Sequence, residues 1–186
     1  SDKLVGMELW NKSDAYNVYY YNNDGYYPND GGKSWYDEAI SRDWKIGAAG
    51  SSDNHSATWG TDNEYRVAVW ATAKTRAAIY EAFKARRFYS TLDKNLVLSL
   101  VINGEHMGST INAGSYSAFI RASDGNNEVF TKVELIKNGA VLYTWYPGIT
   151  NPDITQALTG AVGDYFYVRV RQADGQEAIS APIWVK

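Results

Sequence analysis

Asp53 and His55 are the residues whose types and spacing first suggest chemistry in this chain. A carboxylate and an imidazole two positions apart can face one cation when the loop carrying them curls around it. Gly50, Ser51 and Ser52 precede them and permit a tight loop. Read alone, Asp-x-His is more often a solvated surface pair, and the pattern leaves both readings open. Glu8 and Asn11 fall at the end of the first predicted strand. On a parallel sheet they share a rim with Asp53 and His55 and would line the same site; a strand-end Glu and a loop-starting Asn are the plainer alternative. Tyr19, Tyr20, Tyr21, Tyr26 and Tyr27, with Trp35, are the other cluster. Tyr20, Tyr26, Tyr27 and Trp35 are candidates for stacking on a sugar face, since such rings join an apolar body to a polar tip. Packing of the loop against neighbouring elements explains the same residues. The stretch from Asn22 to Asp30 looks calcium-like but lacks an acidic residue at the closing position. His106 sits in a predicted hairpin corner, where a lone histidine is structural or exposed. With only 2 histidines, a zinc site of several His ligands cannot be built within the chain.

These residues need elements to position them. Leu4 to Trp10 reads as a strand with apolar residues on both faces, the pattern of a strand covered on both sides. A buried strand so early suggests preceding sequence. Residues 11–34 are rich in Asn, Asp, Gly and Tyr and read as a long loop. Ser34 with Asp37 marks a helix start, and Trp35, Ala39 and Ile40 give it a short apolar face. The small-residue run Trp44 to Gly50 is a second strand, which delivers residues 51–55 at its C-terminal end. Strand, helix, strand predicts a parallel β/α unit. Tyr65 to Ala71 is a further strand, and Thr75 caps a helix running to Arg87.

Beyond residue 92 the pattern becomes all-β. Leu96–Ile102 runs into Asn103-Gly104, and Tyr116–Ala122 stops before Asp124-Gly125. Lys132–Ile136 turns at Asn138-Gly139 into Ala140–Tyr143, the strongest short-range hairpin signal. Tyr165–Arg171 turns at Asp174-Gly175 into a last strand from Ile179 to Val185. Six or more short strands predict an antiparallel β-sandwich over 93–186, folding on its own, with Pro182 in an edge or terminal strand.

Composition bounds the function classes. The chain has 186 residues, 45% hydrophobic and 21% charged, with a net charge of −3. That balance excludes general disorder and gives no basic excess for nucleic acid. No apolar run is long enough to span a membrane as a helix. The absence of cysteine excludes disulfide frameworks and Cys-ligated zinc. An aromatic set of 15 Tyr and 7 Trp against 5 Phe suggests an extracellular or cell-surface setting.

The ordered motifs resemble a known family. Gly50-Ser-Ser-Asp-Asn-His55, a strand, and a helix ending Ala85-Arg-Arg-Phe-Tyr-Ser-Thr91 look like the last third of a PHP-type metal-dependent phosphoesterase. The likeness extends, in a bacterial branch that adds a β-sandwich, through Val101-Ile-Asn-Gly, Met107-Gly108, Glu134-Leu-Ile-Lys-Asn-Gly139 and Tyr167-Val-Arg-Val to Ser180-Ala-Pro-Ile-Trp-Val185. The resemblance implies an α/β plus all-β fold: residues 1–92 as the C-terminal portion of a PHP-like β/α barrel, and 93–186 as the sandwich. It implies that Asp53 and His55 are the last ligands of a cluster of divalent metal ions (Zn, Mn or Fe), with Glu8 and Asn11 nearby. The family's earlier His-x-His motif and middle ligands do not occur here. The chain would then be the C-terminal part of a hydrolase acting on a phosphoester or carbohydrate-linked substrate. Alone it would be inactive and without metal, and it would be partnered by the N-terminal half of its own protein or by self-association. The alternative is an extracellular carbohydrate- or surface-binding module that uses the Tyr-rich loop.

Overall fold

Alternating apolar residues and left-handed turns build most of this molecule. The computed structural model describes residues 3–10, 34–52, 54, 57–61 and 64–186. In chain order the elements are β1 (Gly6–Trp10), α1 (Trp35–Ser41), β2 (Gly47–Gly50), β3 (Arg66–Val69), α2 (Arg76–Lys84) and β4 (Phe88–Thr91). Then follow β5 (Leu96–Ile102), β6 (Glu105–His106), β7 (Thr110–Ile111), β8 (Gly114–Asp124), β9 (Phe130–Lys137) and β10 (Ala140–Trp145). The chain closes with β11 (Asp153–Gly160), β12 (Tyr165–Gln172), β13 (Glu177–Ser180) and β14 (Ile183–Val185).

Two sheets face each other. The smaller has the order β11-β8-β5-β6, and the larger runs β10-β9-β12-β13-β4-β3, with β14 and β7 continuing beside β12. Along β5 and β8 buried residues alternate with more exposed ones, so each strand turns one face inward. Leu96, Leu98, Leu100, Ile102, Ile120 and Leu158 from the smaller sheet meet Val133, Leu135, Phe166, Val168 and Val170 from the larger. That is a sandwich core. The two Asn-Gly pairs make tight turns as their sequence requires: Asn103 and Gly104 have φ of 56° and 79°, Asn138 and Gly139 of 54° and 79°. Pro182 lies between β13 and β14, where the chain passes from pairing with one end of β12 to the other.

A third layer covers the outer face of the larger sheet. Helix α1 begins at Ser34, whose Oγ accepts the Asp37 N–H at 2.9 Å and whose hydroxyl donates to Asp37 Oδ2 at 2.7 Å. The Tyr165 and Tyr167 hydroxyls, on β12, both donate to Asp37 Oδ1, at 3.2 and 3.0 Å. Tyr36 and Ile40 join Leu9, Trp10, Ile46, Ile136, Ile179 and Trp184 in a second core. Strands β1 and β2 pair in parallel, Gly6 against Gly47 and Met7 against Ala48, as the strand–helix–strand order predicts.

The β/α barrel does not form. Of the described elements, only β1 and β2 pair in the manner of a β/α unit, and they make a two-stranded ribbon rather than a stretch of barrel wall. Strands β3 and β4, expected to continue the barrel, pair antiparallel instead, Arg66 against Thr91 and Val69 against Phe88. Strand β4 then joins β13 of the sandwich. The intervening helix α2 explains the difference. Only Ala82 of its residues is buried, so it does not lie across a sheet face as a crossover helix does. Arg86, at φ 58°, ends it, and the chain returns alongside β3. The larger sheet therefore draws on residues on both sides of position 92.

Candidate functional site

Small residues seat the parallel ribbon. A Cβ at Gly47 would stand 2.8 Å from the Phe88 ring, and one at Gly50 would collide with Ser90 Oγ. The Gly-Ala-Ala-Gly sequence of β2 thus lets its backbone lie directly on β4. The ladder extends past the strands themselves, with Gly47 N–H to Val5 O at 2.8 Å and Ser51 N–H to Trp10 O at 2.9 Å. Among the described residues, β1 and β2 bond as strands only with each other. Leu4, Trp35 and Trp44 on this layer are exposed large apolar residues.

The sequence-predicted site residues distribute as follows. Glu8 is exposed near the C-terminal end of β1, and its Oε1 accepts the Ser51 hydroxyl at 2.6 Å. That bond joins the rims of β1 and β2, the place where the parallel reading put Glu8. Trp35 opens α1 and is 52% exposed. Asn11, Asp53, His55, Tyr20, Tyr26 and Tyr27 lie outside the described residues. His106 is exposed in the short strand β6.

A second cluster was not anticipated. Asp93, Asp124 and Glu128 each offer a carboxylate oxygen, and the three lie within 4.8 Å of one another. Asp93 follows β4, Asp124 ends β8, and Glu128 lies in the loop to β9. Asp93 Oδ1 accepts the Asn95 N–H at 2.6 Å, which fixes its turn. Asp124 Oδ1 accepts the N–H groups of Asn126 and Glu128, at 2.7 and 3.1 Å, and so folds its own loop. The Gln172 amide at the end of β12 donates to Asp124 Oδ2 at 3.1 Å. Burial, then the neighbouring Asp124, pushes the Asp93 carboxyl up from its ordinary range. Burial works the same way on Asp124. There the Glu128 N–H, the bond with Asp93, the Asn126 N–H and Gln172 outweigh it and hold the group low. Glu128 is pushed up by burial and by the charges of Asp174, Asp124 and Asp93. One fixed carboxylate therefore faces two acids that resist ionising beside it. The signal in the sequence was Asp124-Gly-Asn-Asn-Glu128, two acids bracketing a turn, which reads only as a strand terminator until Asp93 and Gln172 are brought beside it.

No family model matches the chain. It is 32% identical over 137 residues to an uncharacterized protein of Chlamydia pneumoniae, an alignment covering 64% of this chain and 22% of that one. An uncharacterized protein of Chlamydia muridarum is 26% identical over 137 residues with the same coverage. The chain spans about a fifth of the length of the curated relatives it matches. Among solved structures, the sulfur carrier protein SoxY from Chlorobium limicola f thiosulfatophilum gives a TM-score of 0.37 at 10% identity, covering 48% of this chain and 78% of that one. An engineered protein gives 0.32 at 16% identity, covering 50% and 20%. At those scores neither likeness carries an argument. The resemblance that implied a hydrolase or phosphoesterase also implied a β/α barrel; the fold is instead sandwich-like β structure and the relatives are uncharacterized, which does not support a hydrolase of that family.

Proposed function

We propose that this chain is the β-sandwich module of a longer protein, and that it serves to hold a parallel ribbon ready for continuation by further strands of that protein. The observation that carries this is the ribbon itself. Strands β1 and β2 are fixed on β4 by glycine contacts, yet among the described residues they bond as strands only with each other. Parallel sheets occur almost only inside larger sheets covered on both faces, and two strands alone are marginal in water. The exposed Leu4, Trp35 and Trp44 add apolar surface to the same layer. The relatives supply the length: their matched region is 22% of a longer protein.

Hydrogen exchange tests the reading. Amides of residues 6–10 and 47–50 are compared between the 186-residue chain and a longer protein that contains it. Protection that rises in the longer protein at these amides, and not in the sandwich core, is the expected result. Equal protection in both overturns it. A stable dimer of the 186-residue chain, with the same amides protected, would assign the ribbon to self-association instead.

A further inference from the structure

We infer that two clefts meeting at Trp70, one of them on the outer side of the smaller sheet, bind a neutral polysaccharide chain. Trp70 follows β3 and is held at three points. Its backbone N–H donates to Arg87 O at 2.8 Å, and its carbonyl accepts Arg87 Nε at 3.3 Å. Its indole N–H donates to Leu98 O on β5 at 2.9 Å. That nitrogen is the only polar atom of the side chain, so the fold already satisfies it. Trp70 nonetheless stays 39% exposed, and what its side chain offers to a ligand is hydrocarbon. Capping β5 requires only the N–H; the exposed remainder of the ring is free to bind. A ring fixed in this way loses little rotamer freedom when a ligand packs on it.

The surroundings select the ligand. The first cleft, of about 380 Å³, sets Trp70 beside Ser99, Arg121, Asn151 and Asp153. The second, of about 480 Å³, sets it beside Thr72, Glu81 and Arg87. Each holds one arginine–carboxylate pair: Arg121 Nε lies 3.0 Å from Asp153 Oδ2, and Arg87 pairs with Glu81. A charged ligand would have to displace one partner of such a pair. A guanidinium beside a carboxylate instead offers donors and acceptors side by side, which adjacent hydroxyls of a sugar ring can match. Ser99, Asn151 and Thr72 add uncharged partners, and the C–H face of the same sugar packs on the indole. Nucleic acid would need a basic excess that these paired charges do not provide. A peptide strand cannot add here either. On the adjoining edge of β5 the carbonyls of Leu96, Leu98 and Leu100 already accept the Tyr89 hydroxyl, the Trp70 indole and the Met107 N–H. Because Trp70 borders both clefts, a ligand that fills them crosses the indole, which requires a chain of several sugars.

Calorimetric titration of the 186-residue chain tests the inference. The probes are cellohexaose, xylohexaose, maltohexaose and N-acetylchitohexaose, with a heparin hexasaccharide as the anionic counterpart. At least one neutral hexaose should bind with a dissociation constant of about 0.1–1 mM, the range of a shallow preformed site. Its disaccharide should bind more weakly, since it cannot reach both clefts. Trp70→Ala should lower the affinity at least about tenfold. That change also strips Leu98 O of its donor, so Asp153→Ala, in an exposed pair, covers the case in which the first variant misfolds. It should weaken binding about threefold or more and leave Tm within about 2 °C of the parent. Tyr143→Ala, on the edge strand β10 of the opposite sheet, should leave the affinity unchanged. The inference fails if no neutral hexaose binds at about 10 mM, or if the heparin hexasaccharide binds more tightly than all of them. It fails equally if the disaccharide matches its hexaose, or if Trp70→Ala and Asp153→Ala both bind as the parent does.

Discussion

Glu134 on β9 shows how a buried charge is kept in this fold. It is 6% exposed and faces the outer side of the larger sheet. Arg169 Nε donates to its Oε2 at 2.7 Å, Arg169 NH2 lies 2.6 Å from the same oxygen, and Lys132 Nζ lies 3.1 Å from Oε1. Burial pushes the carboxyl up, but the Arg169 bond and charge, then Lys132, outweigh it and hold the group below its ordinary value. Because its folded value lies below the unfolded one, Glu134 contributes stability in full above about pH 4.3 and loses it as pH falls through the folded value. Asp164 has the same sign: burial is outweighed by Lys137, the Ala161 N–H and Asn138. Urea denaturation across pH should therefore show an acid limb, and Glu134→Gln should flatten it while costing about 2–3 kcal/mol at neutral pH. An unchanged limb in the variant would remove Glu134 from the account. Asp37 makes a similar tie, with no ion-pair partner among the described residues, holding Ser34, Tyr165 and Tyr167 at once. Asp37→Ala should cost about 2–4 kcal/mol in the same assay, whereas Tyr167→Phe, which leaves the Tyr165 bond, should cost about 1 kcal/mol.

Elements set by local chemistry were legible in the sequence. Ser34 and Thr75 do cap helices, each accepting from the N–H three residues on. The turn at 138–139 joins the strands it was read to join, and the turn at 103–104 ends Leu96–Ile102 as read and leads into the short β6, because the Asn-Gly pair accepts the positive φ that a two-residue hairpin needs. The parallel pairing of β1 with β2 was legible too. What failed was the step from element to sheet. Arg66–Val69 and Phe88–Thr91 carry no mark of which sheet they join; that choice follows from Phe88, Tyr89, Ser90 and Thr91 all being buried between layers. The acidic cluster was hidden for the same reason, since Asp93, Asp124 and Gln172 become neighbours only through β4, β8 and β12. Glycine usage on β2 gives this scale its prediction. Gly47→Val puts carbon where Phe88 already stands, and overpacking of this kind costs about 1–3 kcal/mol. The loss should appear as faster hydrogen exchange in residues 6–10 and 47–50, with the sandwich strands unaffected. Uniform destabilisation would mean that the ribbon and sandwich unfold as one.

At the scale of the whole molecule, the question is what the sandwich needs in order to fold. Strand β13 has β12 on one side and β4 on the other, with Ala178, Ile179 and Ser180 opposite Thr91, Ser90 and Tyr89. Tyr89 belongs to the inner core, and its hydroxyl donates to Leu96 O at 2.8 Å. A chain that starts at residue 93 lacks β4, leaves one edge of β13 unpaired, and removes Phe88 and Tyr89 from the packing. Truncating one buried aromatic costs about 3–5 kcal/mol, and two such losses rival the whole stability of a domain, about 5–15 kcal/mol. Residues 93–186 alone should therefore lack a cooperative melt. A chain of residues 64–186 keeps β3 and β4 and leaves out the parallel ribbon with α1. It should melt cooperatively, though at lower temperature than the 186-residue chain, because Ile136, Tyr165, Tyr167, Ile179 and Trp184 lose their cover. Calorimetry on both truncations separates the contributions of the two layers. A cooperative transition in 93–186 at the temperature of the longer truncation would show that β4 is an addition to the sandwich and not one of its structural strands.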